Sequence, residues 1–202
     1  MNRPRPIAFA AAVGCLLLAG CGSGSAPTPG PTRSPATTSP SAVPGTPFSA
    51  DTFTTVVPDA WNNKVNDSAE VQKFSANGRV EMLAEQGPPG QQQPNVNDVN
   101  AVINVIKLTT PVPDNQIPTY LGSVVNSGAT NLSQPQNFTV DGATGQYITY
   151  DRDIQGTPDE SQDMIVSHGG STYDIVLVTS QYAFNEQRSG LDAVLAAWKW
   201  KS

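Results

Sequence analysis

The chain has 202 residues, a formal charge of −6 and a 38% hydrophobic share, with only 11 basic residues and no basic block. That balance excludes an electrostatic nucleic-acid binder and leaves no basic surface to hold anionic lipid. Two cysteines, Cys15 and Cys21, and a single histidine, His168, leave little material for thiol or imidazole chemistry.

The first element predicted is a leader over residues 1–20. Arg3 and Arg5 form a basic start, and Ile7 to Leu18 form an apolar run too short to span a bilayer. Leu18-Ala19-Gly20-Cys21 closes that run with small residues beside a thiol. The tetrad resembles the lipobox of bacterial lipoproteins, which implies cleavage before Cys21, a lipid (palmitate-bearing) anchor on its sulfur, and a place on the extracytoplasmic face of the cell membrane. An ordinary secretory signal with a chance cysteine is the alternative. Removing residues 1–20 takes away Arg3 and Arg5 and no acid, so the mature charge moves from −6 to −8. With Cys21 lipidated, no thiol remains for a disulfide, for catalysis or for a metal.

Residues 21–47 then read as the lipidated cysteine and a Pro/Ser/Thr-rich tether, without apolar periodicity and expected to be disordered and extended. A folded domain is expected over residues 48–202. Roughly 150 residues suffice for one independent core.

Phe53 to Val57 is β-rich and is stopped by Pro58-Asp59-Ala60, with Trp61 as a core anchor beyond the turn. Glu70–Phe74 and Arg79–Ala84 flank Ala76-Asn77-Gly78 and read as a hairpin. Residues 87–99, with three prolines and a Gln run, read as a long exposed loop. Ala101 to Leu108 is a strong central strand. Ile117 to Val125 has helical spacing, with Asn115 as a cap and Pro118 in the first turn. Phe138–Val140, the Asp141-Gly142 turn and Gly145–Tyr150 read as strand, turn and strand. Asp151 to Glu160 reads as a polar loop. Met164–His168, Gly169-Gly170 and Tyr173–Thr179 form the clearest hairpin, and Phe184 to Ala197 a helix with Leu191, Val194, Leu195 and Trp198 on one face. Trp198-Lys199-Trp200-Lys201 alternates as a last short strand. The series predicts an α+β fold, one mainly antiparallel sheet flanked by helices.

Val57-Pro58-Asp59-Ala60-Trp61, then Val140-Asp141-Gly142 leading into Gln146-Tyr147, then the closing Ala197-Trp198-Lys199-Trp200, with the Gly169-Gly170 hairpin between, resemble the PsbP-like lipoproteins. The chain is similar in particular to the LpqN-type lipoproteins of mycobacteria and related actinobacteria. The resemblance covers about Phe48 onward and implies an antiparallel sheet with helices, no catalysis, no cofactor, and a binding or accessory role at the cell envelope. Its motifs mark turns and core anchors, so it carries over fold and locale.

Among residues with chemistry, His168-Gly169-Gly170 resembles an esterase oxyanion segment, but no Gly-x-Ser-x-Gly elbow accompanies it and the glycines have a turn to make. Asp151-Arg152-Asp153-Ile154-Gln155-Gly156 imitates the start of a calcium loop, yet Gln155 and Gln162 stand where carboxylate ligands are wanted. A solvated acidic loop is the simpler reading, so no metal ligand is assigned. Trp61, Trp198, Trp200, Tyr120 and Tyr147, with Leu121 and Val125, either line an apolar cleft or fill the core. No Walker, Rossmann or zinc pattern is present. The function expected is non-enzymatic. One form binds an amphipathic envelope lipid or glycolipid, or a membrane transport protein, through an apolar groove between sheet and closing helix. The alternative is a protein–protein adaptor using residues 87–99 and a sheet edge.

Overall fold

The structure is a computed structural model that describes residues 44–87, 101–154 and 156–202. Cys21, the leader and most of the tether lie outside the described residues, as does nearly all of the predicted 87–99 loop.

Among these residues the chain forms a small and a large antiparallel sheet. The small sheet joins β1 (Thr46–Ser49), β2 (Phe53–Val57) and β10 (Lys199–Trp200), in the order β1-β2-β10. Thr46 and Pro47, counted with the tether above, are in β1. The large sheet is made of β3 (Asn62–Asn63), β4 (Gly78–Gln86), β5 (Ala101–Leu108), β6 (Gln136–Val140), β7 (Ala143–Ile154), β8 (Thr157–His168) and β9 (Ser171–Ser180), ordered β3-β4-β5-β9-β8-β7-β6. Three helices are described: α1 (Ser68–Phe74), α2 (Ile117–Gly122) and α3 (Phe184–Ala197). The α+β class expected from the sequence is the one observed.

Alternation along the long strands gives the large sheet two buried faces. One face, with Met82, Ile103, Val105, Met164, Val166, Ile175 and Leu177, packs against α3 and the small sheet through Phe53, Leu191, Val194 and Trp198. The other face carries Ile148, Tyr150 and Ile165 under Ile117 and Leu121 of α2. Further along it, Leu83, Ile106 and Leu108 sit under Val71 and Phe74 of α1.

Two expected elements differ. Residues 68–74 form α1, and the predicted hairpin around Asn77-Gly78 does not exist. Asp67 caps the helix, its Oδ1 accepting from the N–H groups of Ala69 (3.2 Å) and Glu70 (3.3 Å), and Lys73 pairs with Glu70 at 2.5 Å. Gly78 is extended and serves close approach instead: a Cβ there would lie 2.2 Å from the carbonyl oxygen of Lys107. Residues 151–154 and 157–160 are likewise strand and not loop. The β7–β8 ladder runs out to Ile154↔Thr157, with Asp151 opposite Glu160 and Arg152 opposite Asp159. A smaller difference concerns α2, which begins after a 3-10 turn at Asp114–Gln116 with no side-chain cap from Asn115 and ends at Gly122, running on as 3-10 turn over Ser123–Ser127.

The α2 face also buries charge. Asp163 and Asp174 each keep 6% exposure and sit at diagonal positions of β8 and β9, since Asp163 opposes Val176 and Asp174 opposes Ile165. The Asp163 carboxyl and the Tyr120 hydroxyl of α2 are the groups that act on Asp174. One oxygen of each carboxyl, Oδ1, meets no N–H or O–H donor among the described residues. Tyr150 and Arg152 of β7 face the pair as well. Desolvation pushes Asp163 up to about 6, against the pull of Asp174 and Arg152. Asp174 is raised well above the usual carboxylate range, by burial first and by Asp163 second. Tyr120 is raised in turn, by burial first and then by the two aspartates.

Because both folded-state values lie above the unfolded value of ~3.9, the pair's contribution is complete below that value and is lost as pH rises through about 6. Thermal unfolding followed from about pH 4 to about pH 8 is therefore expected to show stability falling across that window, and Asp174→Asn to remove most of the slope. A flat profile in the parent chain contradicts a buried carboxyl pair here.

Candidate functional site

The structure separates the aromatic residues that the sequence left ambiguous. Trp198 is core: it is 1% exposed and stacks on Phe53 at 3.8 Å between ring centroids, 14° from parallel. Trp200 packs on Tyr173 and donates its indole N–H to the Val140 carbonyl at 3.2 Å. Tyr147 packs on Phe138 across the β6–β7 hairpin, and Tyr120 covers the aspartate pair. Leu121 is fully buried, while Val125 is half-exposed. Trp61 lines the groove beside α3, and Tyr120 borders a smaller open pocket with Leu108, Thr109 and Ser123.

The space between α3 and the large sheet is filled by side chains: Phe53, Leu191, Val194, Ile175 and Leu177 are all 0% exposed there. The open volume lies on the outer side of α3. This groove, about 640 Å³, runs between the turn after β2 and one face of α3. Pro58 ends β2, Trp61 N–H donates back to the Pro58 carbonyl at 3.1 Å, and Ala60 takes a left-handed φ of 67°. The turn thereby presents Asp59 and the Trp61 ring to the helix. On α3, Glu186, Ser189, Gly190, Ala193 and Ala196 follow one another at helical spacing along the groove, with Gln187 and Asp192 beside them. Gln86, the last residue of β4, and Pro44 complete it.

Gly190 determines how closely the two walls meet. A Cβ on it would lie 2.9 Å from Trp61 Cε2 and Cζ2. Trp61 thus reaches the helix backbone, and its ring is half-buried there. A glycine inside an otherwise helical pattern is the one sequence signal for this approach. Nothing in the sequence marked Asp59, Gln86, Glu186 and Gln187 as neighbours, because they come from distant segments.

The remaining candidates are accounted for by packing. His168, at the end of β8, stacks flat on Trp200 with centroids 4.3 Å apart and planes 10° from parallel, which makes it part of the hairpin's cover. Asp151, Arg152 and Asp153 of the calcium-like segment are strand, so their side chains alternate between two faces of a ladder. Among the described residues, no group of three or more His, Cys, Asp or Glu is placed to hold a metal ion. The Asp141-Gly142 turn is a clasp. The Asp141 carboxylate accepts from Lys199 Nζ (2.7 Å) and from the Trp200 N–H (2.9 Å), and these bonds hold its pKa below the usual range.

A seven-stranded antiparallel sheet with helices on both faces, beside a small sheet that takes in the Trp-containing β10, has the PsbP-like fold. Within that class the chain is similar to LpqN of Mycobacterium tuberculosis, a protein involved in cell envelope biogenesis. The TM-score is 0.53 at 14% identity, over 79% of this chain and 86% of that one. It is also similar to the cyanobacterial PsbP of a Synechocystis species, with a TM-score of 0.50 at 13% identity, over 85% and 100% of the two chains. At such identities the likeness is one of fold, and it is the fold expected from the three quoted motifs. No protein-family model matches the chain. No curated protein matches it in sequence.

A double-mutant cycle tests the closeness of the groove walls. Gly190→Ala gains about 1 kcal/mol of helix propensity but forces the indole aside at a cost of about 1–3 kcal/mol. Urea unfolding should show a net loss of about 1 kcal/mol in the parent chain and a net gain of about 1 kcal/mol in a Trp61→Ala background. The same sign in both backgrounds would mean that Trp61 does not rest on the helix.

Proposed function

We propose that the chain is a lipid-anchored, extracytoplasmic accessory protein of a bacterial cell envelope, and that its domain acts as an adaptor binding a partner protein at the groove beside α3. The observation that carries the adaptor reading is where the space lies. The interior between α3 and the sheet is packed with apolar side chains, whereas the space that exists is an open groove of mixed lining, with Pro44, Pro58, Trp61, Ala193 and Ala196 beside carboxylates, amides and a hydroxyl. A carrier of acyl chains needs an enclosed apolar cavity with polar groups at its mouth. The glycolipid-transport reading has no such cavity to draw on beside the closing helix, although the groove's polar groups suit a headgroup. Among the described residues no helix is long and apolar enough to cross a membrane. The proposed attachment is at the Leu18-Ala19-Gly20-Cys21 tetrad, where two acyl chains suffice for stable anchoring. The fold shared with LpqN, which is described as involved in cell envelope biogenesis, supports the envelope setting.

A non-enzymatic role is consistent with His168 being stacked on Trp200 rather than paired with a nucleophile. Two measurements in cells test the proposal. Metabolic labelling with an alkyne palmitate analogue should mark the parent chain and leave Cys21→Ala unlabelled and released from the cell. A photocrosslinking residue at Ser189, exposed in the groove, should trap one protein in stoichiometric yield. Full retention of Cys21→Ala contradicts the anchor, and crosslinks to lipid alone contradict the adaptor.

A further inference from the structure

The groove beside α3 contains a polar atom that the domain itself leaves unmet. Gln86 Oε1, in the groove lining, is buried and meets no donor among the described residues. Gln187, 7% exposed, lines the same groove. Buried polar side chains in native proteins are nearly always paired, so an unmet amide oxygen in the groove calls for an occupant that donates to it. Its charge is constrained too. Asp59, Glu186 and Asp192 line the groove, and among the described residues no lysine or arginine does. Trp61 adds an aromatic ring, half-buried on the groove wall.

We propose, building on the adaptor reading, that this groove docks an arginine side chain of the partner protein. A guanidinium is planar and carries five N–H donors and no acceptor. It stacks on an indole, and it donates to carboxylate and amide oxygens together, which is the set that Trp61, Glu186, Asp59 and Gln86 offer. An ammonium matches the charge but not the plane, and its smaller donor set leaves more of those oxygens unmet. A neutral sugar matches the hydroxyl-binding groups but leaves three carboxylates uncompensated. At about 640 Å³ the groove exceeds what one guanidinium fills, and Pro44, Pro58, Ala193 and Ala196 provide apolar wall for the residues flanking the arginine. That excess is why the occupant is a segment of protein and not a small cation.

The test uses the full chain in detergent, with the blocked peptide Gly-Gly-Arg-Gly-Gly, its citrulline counterpart and its lysine counterpart as probes. The readout is the indole N–H resonance of Trp61, assigned with Trp61→Phe. The arginine peptide should move that resonance saturably, with an affinity that falls as salt is raised. Citrulline has the same shape without the charge and should bind about tenfold more weakly or worse. Glu186→Gln with Asp192→Asn alters two exposed positions. It should weaken the arginine peptide by about tenfold while leaving the other two indole resonances in place. Equal binding of the citrulline or lysine peptide overturns the assignment, as does a Trp61 shift produced by trehalose and by none of the peptides. If no peptide binds while the Ser189 crosslinker still traps one protein, arginine docking fails and the adaptor stands. If neither occurs, both fail.

Discussion

The stacking of Trp198 on Phe53, 3.8 Å between centroids, is the contact on which the rest of the domain depends. It ties the end of α3 to β2 and so brings the early and late parts of the domain together. Thr55 reinforces it from the same strand, its hydroxyl donating to the Val194 carbonyl at 2.6 Å in a buried setting. One residue further on, the chain enters β10 and pairs with β2, Lys199 opposite Thr54 and Trp200 opposite Phe53. The Asp141 clasp then fastens that strand to the β6–β7 turn. Aromatic pairs are worth about 0.5–1.5 kcal/mol beyond the area they bury. Here the pair also fixes the axial position of α3, and with it the height of Gly190 against Trp61. The groove is a consequence of how the helix is held.

This arrangement divides the apolar and polar work of α3 between its two sides. Leu191 and Val194 go inward and are fully buried, while Glu186, Ser189 and Asp192 stay exposed. A helix so anchored has no freedom to part from the sheet without breaking the aromatic stack. The outer side is open, with the carboxylates of Asp59, Glu186 and Asp192 set among apolar wall from Trp61, Ala193 and Ala196. The opposite face of the sheet stores a different kind of strain. Two aspartates diagonal to each other under α2 hold a proton that water would otherwise remove, so that face is electrostatically most at ease in mild acid.

Much of this fold is legible in the residues. Phe53–Val57, Ala101–Leu108 and Phe184–Ala197 have the boundaries that periodicity and turn chemistry predict, because each buries a regular face. Where local and tertiary signals conflict, the reading fails. Val71 and Phe74, three apart, share one face only in a helix, and Asp67, three residues before the predicted segment, caps that helix. Asp151 to Glu160 has poor strand propensity and a glycine, yet 151–154 pair with 157–160, and Asp159 and Glu160 pair with β9 as well. The aspartates at 163 and 174 sit in the hydrophobic rhythm of β8 and β9 as polar residues that alternation assigns to solvent, and only α2 overhead shows that they are buried. The groove was least visible of all. Asp59, Gln86 and Gln187 are far apart in sequence, and Gly190 is the sole local hint that another chain segment comes close.

The central claim is that the inner side of α3 is solid and the outer side is the working surface. Methyl and indole NMR of the domain titrated with a long-chain acyl trehalose tests it most directly. The account predicts that Leu191 and Val194 methyls and the Trp198 indole keep their resonances and show no contact with the acyl chain, any response being confined to Trp61 and its neighbours. Cross-peaks between acyl protons and Leu191, Val194 or Trp198 would contradict it, since they require the helix to leave the sheet and admit a lipid where the structure has packed side chains.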